Sequence, residues 1–243
     1  MKNKLALLSG ILCIGLVIAF IFYTGKDNQK KEGYTTTGFA MGTAVTVSVY
    51  SDQGRQDADA VIDCVSRLER EQISWRIEGS EVYRVNHEYK AGEPYEISYD
   101  LAYAVLQERE VSEAGDDLLA LTIRPLASCW GIEDGKKQVP ETQKIEEACS
   151  AVDDSKVHIV DEQGKELTQV SDLSENGTWY VLFDEAGLSL DFGAMGKGIA
   201  CDRVAENLEE NQVEGACVAV GGSVLCYGAK PAGSGFRIGI RDP

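Results

Sequence analysis

Residues 44–50, AVTVSVY, alternate Val45, Val47 and Val49 with Thr46 and Ser48. Strand side chains point to opposite faces in turn, so this spelling predicts a half-buried β-strand. From residue 55 the period changes. Ala58, Val61, Ile62, Val65 and Leu68 recur at steps of three and four, predicting a helix over 55–72. Leu101, Ala102, Val105 and Leu106 predict a second helix over 99–114, preceded by a short extended piece at 94–97. The pattern loosens over 118–178, which reads as a helix at 141–151, a strand at 157–160 and a hairpin turn near Glu175-Asn176-Gly177. Signals then crowd together. Two short apolar strands, 179–183 and 188–192, flank the turn 184–187. A helix follows with Ile199, Ala200, Val204, Ala205 and Leu208 on its buried face, ended by Gly215. Strands at 216–220 and 224–227 flank Gly221-Gly222, and Phe236, Ile238 and Ile240 alternate in a last strand. Strands and helices mixed without regular βαβ repetition predict an α+β fold rather than a doubly wound sheet.

The N-terminus carries a different pattern. Lys2 and Lys4 precede an uncharged run of 19 residues, Leu5 to Tyr23. As a helix it would reach about 28 Å, close to the hydrocarbon thickness of a bilayer. No A-x-A-like exit follows it, so an uncleaved anchor is expected over 1–24, with the bulk of the chain on the extracytoplasmic side of the cell membrane. A cleaved signal giving a secreted protein remains open, as does a lipoprotein through Cys13, although Gly10-Ile11-Leu12 lacks the small residue expected just before a lipidated Cys. Residues 25–36 read as a polar linker and 37–243 as the folded domain.

Composition narrows the partners. The chain has 243 residues, 44% hydrophobic and 26% charged, with a formal net charge of −17. The basic residues of the first 34 positions leave the rest more acidic still. Nucleic acid is not expected as a partner, because phosphate contacts need a basic surface. The seven Cys include no C-x-x-C pair and no zinc spacing, and most are expected to be buried thiols acting as small hydrophobes. Only two His occur and no G-x-S-x-G, which argues against a serine hydrolase of that kind.

Four stretches carry candidate chemistry. Residues 190–210, LDFGAMGKGIACDRVAENLEE, place three glycines around Lys197. Neither phosphate-loop spelling fits. Asp191 stands where a Walker loop needs Gly, Gly198 where it needs Ser or Thr, and the G-x-G-x-x-G spacing is reversed. A strand end, a glycine turn and a helix N-terminus can still hold an anion. The same residues equally suit a tight helix–strand turn with Lys197 solvated. The others are Phe39-Ala40-Met41-Gly42-Thr43, Ile73-Ser74-Trp75-Arg76 with Ser80-Glu81 and Arg84-Val85-Asn86, and Leu121 to Leu126 with Trp130-Gly131. Met is a soft surface for a ring, and adjacent Trp and Arg can clamp a planar anion. Each alone also suits a core or turn.

Together and in this order, these stretches resemble the ApbE family of FAD:protein FMN transferases over roughly residues 36–243. FAMGT, the Ser80-Glu81…Arg84-x-Asn86 block, RPLxxxWGI, LDFGAMGKGIACDRVAE, VAVGGSVLCYG and FRIGIRDP carry the resemblance. It implies an ApbE-like, T-fold-like architecture of mixed or antiparallel sheets with packed helices. It also implies Mg2+-dependent transfer of FMN from FAD to a Thr or Ser of an acceptor flavoprotein subunit, in a membrane redox complex or a secreted flavoprotein, with release of AMP. By similarity, Met41, Asp191 and Lys197 contact FAD, and the Ala194 carbonyl binds Mg2+. The family's aromatic FAD contact falls on Arg76 with Trp75 beside it, and the lining before RPL falls on Leu118, Leu119 and Ala120. Many relatives have an aromatic at the Arg76 position and Asp at the Ala120 position. The family's His-x-Ile-Asp-Pro segment and later Asp and Thr metal ligands have no match here, so the chain as given is expected to be inactive. An FAD-binding or scavenging protein and an FAD pyrophosphatase remain as alternatives.

Overall fold

The computed structural model describes residues 33–242, apart from 117, 133–134, 136–138, 175 and 241. Strands β1 (Tyr34–Ala40) and β2 (Thr43–Tyr50) form a hairpin, registered from Tyr34 opposite Val49 to Ala40 opposite Thr43. The alternation in AVTVSVY does what its period requires. Val45, Val47 and Val49 are fully buried, each worth about 1.5–3 kcal/mol of burial. The opposite face is polar, with hydroxyl pairs Thr35–Ser48 at 2.9 Å and Thr37–Thr46 at 3.2 Å. Residues 34–36, expected as linker, are thus strand. The rest of the expected linker up to residue 32, and the expected anchor over 1–24, lie outside the described residues. Among the described residues no helix is long and apolar enough to cross a membrane.

Helix α1 (Gly54–Arg67) covers this hairpin with Ala58, Val61 and Val65, and continues as a π-turn over Leu68–Ile73. The helix expected over 55–72 is therefore real but changes its winding in the last turn. Helix α2 (Glu81–Glu88) starts at Ser80, whose hydroxyl caps the Tyr83 N–H at 3.2 Å. Strand β3 (Tyr95–Ile97) and α3 (Tyr99–Ala114) fall where the pattern puts them. A short helix α4 (Arg124–Cys129) opens on Pro125, and α5 (Thr142–Cys149) follows.

Strands β4 (Val157–Asp161), β5 (Glu166–Leu167) and β6 (Trp179–Phe183) join β3 in an antiparallel sheet of order β3-β6-β4-β5. Helix α3 lies against β4 and β6. The hairpin of this sheet turns at Asp161–Glu166, not near residues 175–177, where Gly177 closes a turn onto the Ser174 carbonyl.

Helix α6 (Gly196–Glu210) packs on α1 and leads to β7 (Gly215–Val220) and β8 (Ser223–Gly228). These complete the other antiparallel sheet, order β1-β2-β7-β8. Antiparallel sheets with packed helices match the expected α+β class.

Three further expectations about the elements fail. Residues 188–192 form no strand, although Leu188, Leu190 and Phe192 are buried. Side chains rather than a neighbouring strand satisfy much of their backbone. Gly215 does not end α6. The helix stops at Glu210, Gln212 takes the left-handed turn (φ 54°), and Gly215 opens β7, where a Cβ would meet the Ala229 carbonyl oxygen at 2.0 Å. Phe236, Ile238 and Ile240 form no ladder among the described residues. The thiols are also less buried than expected: Cys149 and Cys226 are exposed, and Cys64, Cys129, Cys201 and Cys217 half-buried.

Candidate functional site

The β1–β2 hairpin turns on Met41 and Gly42, with φ 53° and 68°. Two positive φ values in a two-residue loop are those of a type I′ turn, whose twist suits the strands. Met is a poor residue there, and its N–H is held at 2.6 Å by Glu69 Oε2. Glu69 reaches it from the π-turn that ends α1. Such turns within helices are frequent at functional sites.

The same π-turn delivers Ile73, Ser74, Trp75 and Arg76. The Ser74 hydroxyl accepts from the Arg76 N–H at 3.2 Å and the Ile77 N–H at 3.3 Å, fixing the bend. The Arg124 guanidinium lies 3.2 Å, and that of Arg76 4.1 Å, from the centroid of the Trp75 ring. Pro125 at the start of α4 helps set the direction from which Arg124 arrives.

The glycine turn closes the other wall. Asp191 Oδ1 accepts from the Gly193 N–H at 2.7 Å, and the Asp191 N–H donates to the Leu121 carbonyl at 2.9 Å. Leu121 and Thr122 are themselves clamped by Asp154, whose carboxylate accepts from both backbone N–H groups at 2.7 and 2.8 Å and from the Thr122 hydroxyl at 2.5 Å. Gly196 begins α6 with its N–H on the Phe192 carbonyl at 2.6 Å. The next two N–H groups, of Lys197 and Gly198, have no backbone acceptor among the described residues. They are the unsatisfied donors of a helix start.

These parts enclose a cavity of about 270 Å3, whose walls include Met41, Glu69, Trp75, Arg76, Phe192 and Lys197. A wider lobe of about 670 Å3 shares Trp75 and Arg76 and adds Tyr83, Asn86, His87 and Arg124. Three cations, Arg76, Arg124 and Lys197, thus converge on one cleft of a strongly acidic protein. The chemistry on offer is an aromatic face, guanidinium and ammonium groups and free helix N–H donors. It suits a planar group joined to phosphates.

The structure brings Met41, Trp75, Arg76 and Lys197 together, as the sequence led one to expect. The other expected residues stand outside that lining. Asp191 braces the glycine turn instead of lining the cavity. Ala194 is exposed beside the start of α6, and its carbonyl takes no hydrogen bond among the described residues. Leu118, Leu119 and Ala120 do not line either lobe. Leu118 is 91% exposed, the Leu119 carbonyl accepts from the Ser112 hydroxyl, and the Ala120 carbonyl accepts from the Ile123 N–H. They form the approach to Leu121, one step removed from the cleft. Glu69, Tyr83 and His87 were missed. Glu69 sits in a charged helical run that reads as a solvated face, and only the fold turns it toward Met41.

A family model described as the ApbE family matches residues 41–243. The chain belongs to the ApbE family. Curated relatives include the FAD:protein FMN transferase of Haemophilus influenzae, 22% identical over 98% of this chain and 65% of the relative. Those of Salmonella typhimurium and Klebsiella pneumoniae are 23% and 28% identical, over 85% and 86% of this chain and 56% and 59% of theirs. This chain therefore spans between 56 and 65% of the length of these relatives. The flavinyl transferase ApbE of Pseudomonas stutzeri superposes with a TM-score of 0.71 at 23% identity, covering 88% of this chain and 67% of that one. The flavin transferase ApbE of Vibrio cholerae gives 0.72 at 21%, covering 87% and 64%. Both show that the two-sheet arrangement is the ApbE fold. The cleft lies within the span that the family model matches.

Proposed function

We propose that this protein is an FAD:protein FMN transferase, moving FMN from FAD to a Thr or Ser of an acceptor flavoprotein subunit with release of AMP. The observation that carries the reading is the convergence of Trp75, Arg76, Arg124, Lys197 and the α6 N-terminus on one cleft, in a chain of the ApbE family. Trp75 and Met41 offer soft, flat surface to a ring system of the dinucleotide. Arg76, Arg124 and Lys197 neutralise the pyrophosphate. The Lys197 and Gly198 N–H groups supply donors along the helix axis. Asp191 acts by holding the glycine turn open at Gly193. Leu118, Leu119 and Ala120 act through Leu121, which carries the Asp191 N–H.

Magnesium would polarise the phosphoryl oxygens being transferred. The described residues fit it only in part. Ala194 offers one free carbonyl, and no three His, Cys, Asp or Glu side chains converge as a metal site among the described residues. Magnesium takes six oxygens in near-octahedral geometry. The uncharged run Leu5–Tyr23 supports a membrane-anchored protein facing the extracytoplasmic side.

The test is incubation with FAD, Mg2+ and a flavoprotein acceptor subunit, with the acceptor weighed by mass spectrometry. Covalent FMN on a Thr or Ser supports the reading. Free FMN and AMP without acceptor labelling would make the protein a pyrophosphatase. Failure to bind FAD at all would overturn both.

A further inference from the structure

Cys217 in β7 and Cys226 in β8 stand directly opposite each other in the antiparallel register. Two backbone bonds reveal what kind of pair they form. The Ala229 N–H donates to Glu214 on the β8 side of this strand, and the Gly221 N–H donates to Ala44 on the β2 side. Backbone groups of successive strand residues point to alternate neighbours. Even-numbered positions of β7 therefore bond β8, and odd-numbered ones bond β2. Cys217 is odd, so its backbone bonds β2, and Cys217–Cys226 is a non-hydrogen-bonded pair of the β7–β8 ladder. In such pairs the Cα atoms are about 4.5 Å apart and the side chains approach most closely. Disulfides span about 4.4–6.8 Å between Cα atoms. Both thiols are free, Cys226 is exposed and Cys217 half-buried.

We propose that Cys217 and Cys226 are a redox-sensitive pair that closes to a disulfide, stapling β7 to β8. The thiols are near enough to feel each other. Partial burial first, and the Cys226 thiol second, raise Cys217 above the ordinary thiol pKa, while Lys230 opposes them. The co-reactant is a small-molecule disulfide. The exposed Cys226 thiolate attacks one of its sulfurs and expels one thiolate, giving a mixed disulfide. Cys217 then loses its proton and attacks Cys226 Sγ. The second thiolate leaves, so the oxidant gains two electrons and the pair loses two. The staple would brace the hairpin whose Gly221 lies against Thr43, next to the Met41–Gly42 turn of the cleft. It does not depend on flavin chemistry.

No Lys or Arg lies between Val204 and Lys230, so one tryptic peptide contains both thiols. The folded 243-residue protein, reduced and then treated with oxidised glutathione, is alkylated with iodoacetamide under denaturing conditions and mapped. The peptide should lose two hydrogens and take up no alkyl group, and reductant should reverse this. In Cys217→Ser, Cys226 should instead retain glutathione. Wild-type protein with both thiols alkylated, or with a glutathione adduct persisting on Cys226, would overturn the proposal. The wild-type map decides even where the variant folds poorly.

Discussion

Asn86 grips both backbone groups of Leu190 across 104 residues of chain. Its Nδ2 donates to the Leu190 carbonyl at 2.9 Å, and its Oδ1 accepts from the Leu190 N–H at 2.8 Å. One carboxamide thus does for residue 190 what a neighbouring strand would do. The segment before the glycine turn is fixed to α2, and the wall of the cleft with it. Asn86→Ala would leave an N–H and a carbonyl unsatisfied at a residue with no exposure, costing about 2–4 kcal/mol. Urea unfolding of the two proteins checks this, and an unchanged midpoint would mean that water replaces the amide.

Trp75 is the test of the cleft as a flavin-nucleotide site. Two guanidinium groups already lie over its ring, at 3.2 and 4.1 Å from the centroid. Trp75→Ala removes the aromatic face and the platform that orders both arginines. Affinity for FAD should fall by roughly 10-fold, about 1.4 kcal/mol. Trp75→Phe keeps a face and should retain most of the binding. Titration of flavin fluorescence distinguishes the two. Equal affinity in all three proteins would place FAD elsewhere.

Glu108 gives a pH dependence of stability that does not involve the cleft. It is 3% exposed, and its Oε1 has no hydrogen-bond partner among the described residues. Burial first, then the charge of Asp154, raise its pKa to about 7, against a pull downward from Arg109. A carboxyl with a folded pKa above the unfolded one holds its proton more tightly when folded. The folded state is therefore unpenalised below about pH 4.3, the unfolded value, and loses stability as pH rises toward 7. The loss reaches about 2 kcal/mol once solvent screening is allowed for. Glu108→Gln should be the more stable protein above pH 7, with the difference vanishing near pH 4. Melting temperatures at several pH values check it. A constant difference across that range would exclude titration of Glu108 as the cause.

The elements with an unbroken period were legible. The Val45–Val47–Val49 alternation and the 99–114 helix follow from local pattern and burial alone. Failures arose where a side chain takes over a backbone's role. Residues 188–192 spell a strand, but Asn86, the Tyr89 hydroxyl and the Leu121 carbonyl bond their backbone instead. Nothing local encodes partners so distant in sequence. In the site, motif resemblance named Met41, Trp75, Arg76 and Lys197, which the fold brings to one cavity, but it did not name Glu69, which lines the same cavity. Its role is set by a π-turn that shifts the face it presents. Leu118, Leu119 and Ala120 were named by resemblance, and the loop's path sets them just before Leu121, whose carbonyl accepts from the Asp191 N–H.

Met41 allows binding to be separated from folding. It occupies a left-handed position of a type I′ turn, where Asn is far better suited. A non-glycine side chain there costs about 1 kcal/mol, which Asn would largely recover. The Met41 side chain is also partly buried against the core, and losing that contact costs about as much. Met41→Asn should therefore change stability by less than about 1 kcal/mol, because the two terms offset. The Glu69 bond survives, since it is made by the backbone N–H. Binding has no such offset. The thioether faces the cleft beside Trp75 and Lys197, and an amide cannot replace a soft apolar surface against a ring. FAD affinity should drop by roughly 10-fold, again about 1.4 kcal/mol, at near-constant unfolding midpoint. A matched fall in both quantities would make Met41 a packing residue. A gain in stability with unchanged affinity would leave its presence in the turn unexplained by FAD.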